Sequence, residues 1–461
     1  MESFERNGQE FAAAFGETLV PEGNIPVLRA GIGVPAHVKS PDPHSPDQPR
    51  ASHAFTAPAC VIGYLARILP VLSETFVVRE IAALRCLGLA VRPFSLYHPE
   101  AGVVHPEAPA LINEVEVLVR PLHPLFFLSH LIYLVHHPAR YFGCLWRYVW
   151  ASGEPLGRRL RSLAHFSAAP FAALRLRRAG VTHLHAHFAN TAASIAMMAA
   201  FLEGISFSFT AHAYDLFVDD ILLPAKLSAA SFVVTISEFN ASYLRERYPE
   251  AASADLPIIH CGVDPDMYFP RPRPTHSPAC ILAVGRLVFK KGFHVLIEAC
   301  ALLRDKGVRA RCLIVGDGEE ATRLHNLAAG LDLSAQVLLA GTLLPADLLE
   351  YYAEADVFVM PSCKSGNDRD GIPTVLIEAM AMEVPVVSTR LSGIPELVRH
   401  GETGLLVAPD DPAGLAEAIA RLLSDPALAE RLGKAARELV IRDFNIHSSA
   451  RMLFNLFTRQ E

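Results

Sequence analysis

Short apolar or β-branched segments alternate twice along this chain with longer stretches of helical period, and that alternation leaves few folds open. The first series predicts strands at 60–65, 91–96, 182–187, 206–211, 232–236 and 257–261, and the second at 280–284, 311–315, 336–339, 357–360, 385–388 and 404–407. Between the series stands Pro270-Arg271-Pro272-Arg273-Pro274, a run that neither helix nor central strand absorbs. Helical stretches such as 294–304 put Leu296, Ala299, Cys300 and Leu303 on one face. Strands separated by helices pair in parallel, because a parallel crossover needs a connection of that length. The expected class is therefore α/β, with two doubly wound Rossmann-like parallel-sheet domains facing each other across a cleft.

The 461 residues are enough for two or three domains. Eight of the 34 prolines fall in the first 58 residues, so 1–57 is expected to be a flexible tail that cannot bury enough apolar surface to order itself. Domains are expected at 58–272 and 273–440, with 441–461 a helix packing back on the first. With 41 basic and 48 acidic side chains the net charge is −7, which argues against a nucleic-acid partner. None of the eight cysteines has C-x-x-C spacing, so buried thiols in a reducing compartment are expected, without structural zinc.

Glu2 and Glu5 follow Met1, which is unlike a secretory leader, and no segment has the roughly 20 apolar residues of a spanning helix. Residues 121–180 nevertheless hold eight arginines against the single acid Glu154, together with both tryptophans, Trp146 and Trp150. Aromatic side chains beside arginines suit a helix lying on an anionic membrane surface. An ordinary helix pair with a solvated basic face has the same composition.

Two motifs carry the sharpest chemistry. Val284-Gly285-Arg286-Leu287-Val288-Phe289-Lys290-Lys291-Gly292 is a strand end, a turn and several cations, suited to a diphosphate. Asp368-Arg369-Asp370-Gly371-Ile372-Pro373-Thr374-Val375-Leu376-Ile377-Glu378 is a loop opening a helix. There Gly371 permits close backbone approach, Pro373 suits the first turn, and the orphan N–H groups make an anion site. Glu378, about one turn inside, could accept from a vicinal diol such as ribose. A metal between Asp368 and Asp370 is discounted, since cations and a helix N-terminus already supply positive charge. Gly316-Asp317-Gly318 opens a helix after a strand, but no acid closes the next strand to hold a nicotinamide ribose. His183, His185 and His187 share one strand face with no carboxylate at ligand spacing, so structural roles are expected. His212 lies just past a strand end, where Asp215 could orient it.

Taken together, these motifs resemble the retaining, nucleotide-sugar-dependent glycosyltransferases of family four, which have the two-domain GT-B fold. The likeness spans about residues 58–445, and Ser392-Gly393-Ile394-Pro395-Glu396 and Gly401-x-Thr403-Gly404-Leu405-Leu406-Val407 belong to it. Leu72-Ser73-Glu74-Thr75-Phe76, His185-Ala186-His187-Phe188 and Phe209-Thr210-Ala211-His212 look like the colanic-acid and exopolysaccharide branch.

The resemblance implies an acceptor domain followed by a donor domain, and a sugar added to a lipid-linked glycan at the cytoplasmic membrane face. It implies that Arg286 and Lys291 neutralise the leaving diphosphate, that Glu378 holds the ribose, and that Asp370 contacts the donor sugar. It further implies that backbone around Gly285, Gly371, Ile372, Pro373 and Thr374 binds diphosphate and sugar, that Gly341 and its neighbours border the base, and that His212 touches the sugar. The family usually has glutamate where Asp370 stands. Neither metal nor cofactor is expected. A sugar-nucleotide epimerase of the same fold, or a non-catalytic binding partner of a polysaccharide assembly complex, is the alternative reading.

Overall fold

A computed structural model describes residues 60–71, 74–98, 111–120, 123–272 and 277–459. The expected tail at 1–57 lies outside the described residues.

Among the described residues, twelve strands form two six-stranded sheets. The first contains β1 (Val61–Ile68), β2 (Ala90–Tyr97), β3 (Glu116–Val117), β4 (His183–His187), β5 (Ser206–Ala211) and β6 (Val233–Thr235), in the order β3-β2-β1-β4-β5-β6. The second contains β7 (Ala279–Val284), β8 (Ala310–Val315), β9 (Val337–Gly341), β10 (Val357–Met360), β11 (Val386–Thr389) and β12 (Leu405–Val407), in the order β12-β11-β10-β7-β8-β9. Every ladder is parallel. Counted from its own first strand, the second sheet repeats the topology of the first, and both reverse direction at their centre, between β1 and β4 and between β7 and β10. Such a reversal opens a crevice at the carboxyl ends of the strands.

The strand expected at 257–261 does not form. Ile258 makes one isolated bridge to Thr235, and Pro257, which has no N–H, offers only its carbonyl to the Thr235 amide. In its place the two-residue β3 completes the far edge, too short to leave a periodic signal.

The helices that position the site are α1 (Thr75–Cys86), α2 (Pro124–His136), α3 (Pro138–Leu145), α4 (Leu156–Arg178), α5 (Thr191–Glu203), α6 (Glu238–Arg247), α7 (Phe293–Asp305), α8 (Thr374–Ala381) and α9 (Ile446–Thr458). On one face of the first sheet, the alanine-rich α5 and the middle of α4 bury Ala169, Ala172, Ala196 and Ala199, and these small side chains let helix and sheet approach closely. On the other face, Ile446, Leu453 and Phe457 of α9 share a core with Val77, Ile81 and Leu84 of α1. The end of the chain thus covers the first sheet.

The basic segment departs from expectation. Arg158 pairs with Glu154 and Asp220 at 2.8 Å, Arg161 with Asp219 at 2.6 Å, and Arg177 with Glu203 at 2.6 Å, while Arg175 meets Glu116. Acids distant in sequence therefore neutralise much of the expected positive face. What stays open is apolar. Phe127, Trp146 and Leu156 are 70%, 67% and 73% exposed, and Leu131, Val135, Phe142, Trp150 and Leu160 are exposed beside them on α2, α3, the π-turn Trp146–Trp150 and α4. Among the eight cysteines, all free, Cys86 is exposed rather than buried. No helix among the described residues is long and apolar enough to cross a membrane.

Candidate active site

A cleft of about 450 Å³ runs between the carboxyl edges of the two sheets. From the first domain it is lined by Glu74, Arg79, Phe188, His212 and Ile236, and from the second by Gly285, Arg286, Lys291, Gly316 and Asp317, then Asp370 to Val375, and Glu378. The loops after β4, β5, β6, β7, β8 and β10 all converge there, as the strand order requires. Two glycines make the convergence possible. A Cβ on Gly371 would stand 3.1 Å from the Ile236 Cδ1 of the opposite domain. Gly316 has φ +139°, and its Cβ would lie 1.9 Å from the Gly285 carbonyl oxygen, a contact no side chain tolerates.

The two cation-bearing motifs meet. Lys291 Nζ is 2.9 Å from Asp370 Oδ2, Lys290 Nζ is 2.9 Å from Asp368 Oδ1, and the Ser362 hydroxyl donates to Asp370 Oδ2 at 2.8 Å. Burial pushes the Asp370 carboxyl up, but the Lys291 and Lys290 ammonium groups outweigh it and hold the group below the usual carboxylate range. Asp368 and Asp370 are thus each engaged by a lysine. Arg286 remains exposed at the cleft. Pro373 stands at the N-cap with an extended backbone rather than in the first turn, and α8 begins at Thr374. The orphan N–H groups of that turn open on the cleft. Of Gly341 and its neighbours, Thr342 and Leu343 line the cleft, and Gly341 itself is the last residue of β9.

Glu378 is not an open carboxylate. Its Oε1 accepts from Arg79 Nη1 at 3.2 Å and its Oε2 from the Tyr352 hydroxyl at 3.1 Å, while Arg79 Nη2 donates to the Tyr268 hydroxyl at 2.7 Å. Arg79 lies on α1, so this buried pair joins the two domains beneath the cleft. A second tie is made by Glu396, whose carboxylate accepts from the backbone N–H groups of Glu238 and Phe239 at 2.9 Å each, at the amino end of α6. No local signal could announce Arg79, because its partner is 299 residues away.

The histidines also differ from expectation. Glu80, one residue beyond Arg79, brings its Oε1 within 3.0 Å of His187 Nε2, so a carboxylate does stand beside the strand histidines. His183 and His185 are instead satisfied by hydroxyls of Ser206, Ser208 and Thr210 on the neighbouring β5. Asp215 does not orient the His212 ring. Its carboxylate accepts from the backbone N–H groups of Ala189 and His212, and the ring contacts His187, Nε2 to Nδ1 at 3.2 Å. Glu74, at the start of α1, is half-buried in the cleft wall, and burial above all lifts its carboxyl to about 7 against the pull of His187, Arg286 and Arg67.

Comparison with known proteins matches residues 113–267 to the model of Glycosyltransferase Family 4 and residues 268–439 to that of Glycosyl transferases group 1. The two matches run back to back over most of the described chain. The chain thus carries a stretch similar to Glycosyltransferase Family 4 followed directly by one similar to Glycosyl transferases group 1.

The chain is 37% identical over 204 residues to the amylovoran biosynthesis glycosyltransferase AmsK of Erwinia amylovora, covering 44% of this chain and 50% of that one. It is 40% identical over 194 residues to the Escherichia coli (strain K12) protein WcaL, provisionally named as a colanic acid biosynthesis glycosyltransferase, over 41% and 48% of the two chains. It is 38% identical over 172 residues to the lipopolysaccharide core biosynthesis glycosyltransferase LpsE of Rhizobium meliloti, over 37% and 47%. The chain thus spans about half the length of the curated relatives it matches. Among solved structures, Anabaena Alr3699/HepE in complex with UDP-glucose superposes with a TM-score of 0.64 at 18% identity, covering 86% of this chain and 99% of that one. The fold of the chain is therefore GT-B.

Proposed function

We propose that the chain moves a sugar from a nucleotide-sugar donor to a cell-surface glycan acceptor, with retention at the anomeric carbon. The observation that carries this reading is the cleft itself. Arg286, Lys291 and the amino end of α8 line it together with the carboxylates Asp370 and Glu378.

As the glycosidic bond to the donor breaks, negative charge grows on the departing diphosphate and positive charge on the anomeric carbon, so stabilising the phosphate is the principal catalytic demand. Arg286 and Lys291 supply cations, and α8 supplies aligned N–H donors. That positive charge removes the need for a bound metal ion. Asp370, held ionised by Lys291 and Lys290, accepts from hydroxyls of the donor sugar. Glu378 accepts from the ribose diol, sharing its oxygens with Arg79 and Tyr352. His212 contacts the sugar from the first domain. The acceptor hydroxyl attacks on the face from which the diphosphate leaves, with water excluded by approach of the two domains.

The names of AmsK, WcaL and LpsE support a surface polysaccharide as acceptor, and the UDP-glucose complex of the Anabaena protein supports a nucleotide sugar as donor. An acceptor that is lipid-linked calls for contact with the membrane surface. The exposed aromatic and aliphatic side chains of α2 to α4 favour such contact, and the attraction is apolar more than ionic.

The test is a panel of UDP- and GDP-hexoses screened for thermal stabilisation, followed by turnover with a lipid-linked acceptor in buffer with and without a chelator. Release of nucleoside diphosphate with the anomeric configuration retained, unaffected by the chelator, is expected. A rearranged sugar without transfer would mean an epimerase. Stabilisation without product would mean a binding module.

A further inference from the structure

We propose that Glu80 and His187 are positioning residues that set the tautomer of His212, leaving its Nδ1 as a hydrogen-bond acceptor for a hydroxyl of the bound sugar. This rests on the donor-site reading above and goes beyond it.

The chain of contacts starts away from the cleft. Glu80 on α1, His187 at the end of β4 and His212 after β5 are 8%, 0% and 7% exposed. The Tyr64 hydroxyl donates to Glu80 Oε1, and that oxygen lies 3.0 Å from His187 Nε2. That oxygen accepts from both neighbours, so Nε2 of His187 carries a hydrogen. A neutral imidazole then has its other nitrogen bare. His187 Nδ1, 3.2 Å from His212 Nε2, accepts from it, and His212 is left protonated on Nε2 and unprotonated on Nδ1.

The surroundings of the histidine rings are aromatic and apolar. Tyr64, Phe76, His185 and His212 pack around His187, and burial pushes His212 and His185 well below the usual histidine range. Position and tautomer have separate causes. The His212 ring is clamped between Phe188 at 4.4 Å and Phe76 at 5.0 Å between centroids. Its backbone is held by the Asp215 carboxylate at N–H and by the Asn240 amide at the carbonyl. Which nitrogen holds the hydrogen is set at His187 Nε2, which meets Glu80 Oε1 at 3.0 Å and also lies 3.2 Å from the Tyr64 hydroxyl. Glu80, His185 and His187 are also near enough to one another to hold a metal ion. However, both ring nitrogens of His185 already meet hydroxyls, Ser208 at 2.8 Å and Thr210 at 3.0 Å, and both of His187 are engaged as described.

The full chain labelled with ring-15N histidine reports the tautomer by NMR, with the His212 signals identified by their loss in His212→Asn. The wild type is expected to show a protonated Nε2 and a bare Nδ1. Glu80→Gln has nearly the same shape but can turn an NH₂ toward His187, and is expected to reverse the pattern. Tyr64→Phe retains the carboxylate and should keep the wild-type pattern. A wild-type His212 carrying its hydrogen on Nδ1 overturns the proposal even if Glu80→Gln fails to fold. An unchanged tautomer in folded Glu80→Gln overturns it as well. So does one equivalent of zinc in the purified chain, since the metal would occupy the same atoms.

With whichever hexose of the panel gives turnover, Glu80→Gln should lower kcat/KM about tenfold, the worth of one neutral hydrogen bond, and Tyr64→Phe less than about threefold. A panel without turnover removes the donor-site reading, whereas the NMR result bears on this inference by itself.

Discussion

Arg79→Met tests the contact on which the cleft geometry most depends. The Arg79 and Glu378 side chains are 4% and 6% exposed, so neither charge is solvated by water. Removing the guanidinium leaves the Glu378 carboxylate buried, with the Tyr352 hydroxyl as its remaining hydrogen-bond donor among the contacts described above. Loss of one partner from a buried pair costs about 3–5 kcal/mol. With a urea dependence of about 3 kcal/mol per molar for a chain that exposes this much surface, the midpoint should fall by roughly 1 M, read by far-ultraviolet circular dichroism. The double variant Arg79→Met with Glu378→Leu removes both charges and should recover most of the loss, because an apolar pair of similar volume is about neutral. Its donor turnover should be abolished, since the ribose anchor is gone. A single Arg79→Met within about 1 kcal/mol of wild type would mean that the pair is solvated or absent, and the two domains would not be tied at this point.

Three further outcomes follow from the geometry. Gly316→Ala puts a Cβ 1.9 Å from the Gly285 carbonyl at φ +139°, so the loops after β7 and β8 must part, and thermal stabilisation by the donor should vanish while the fold persists. Glu74 has its folded pKa raised from 4.5 to about 7, so the native state loses stability as pH rises through that interval and nothing below it. Glu74→Gln should therefore gain about 1–2 kcal/mol at pH 8, discounted for partial exposure, and nothing at pH 4, and an equal gain at both values would contradict the assigned shift. Replacing Phe127, Trp146, Trp150 and Leu156 by serine should lower affinity for anionic vesicles at least about 100-fold, from apolar area alone. Arg158→Gln should change it little, because Arg158 is already paired, and co-sedimentation lost with Arg158→Gln alone would reverse that assignment.

Eleven of the twelve strands follow runs of apolar or β-branched residues that can be read directly, because a strand covered on both faces by helices is apolar nearly throughout. The missed strand, β3, is two residues long, and the segment at 257–261 is apolar without being a ladder, since its proline lacks an N–H. Pro373 and Gly371 were legible for a similar reason. Their backbone requirements are local, so the residue type alone reports them.

The pairing of charges was not legible. Arg175, Arg177 and Arg158 read as a free basic face because ion pairing depends on which distant acid the fold returns to them. Glu116, Glu203 and Asp220 lie 59, 26 and 62 residues away. The same holds for Glu378, whose one-turn offset from Pro373 was visible while its occupation by Arg79 was not. It holds equally for His187, where Glu80 is 107 residues distant. Periodicity and backbone chemistry act over a few residues and are written in the chain. Which carboxylate meets which cation, and which ring nitrogen carries a hydrogen, is decided only when two sheets bring remote segments within 3 Å of each other, where burial makes each such contact worth kilocalories.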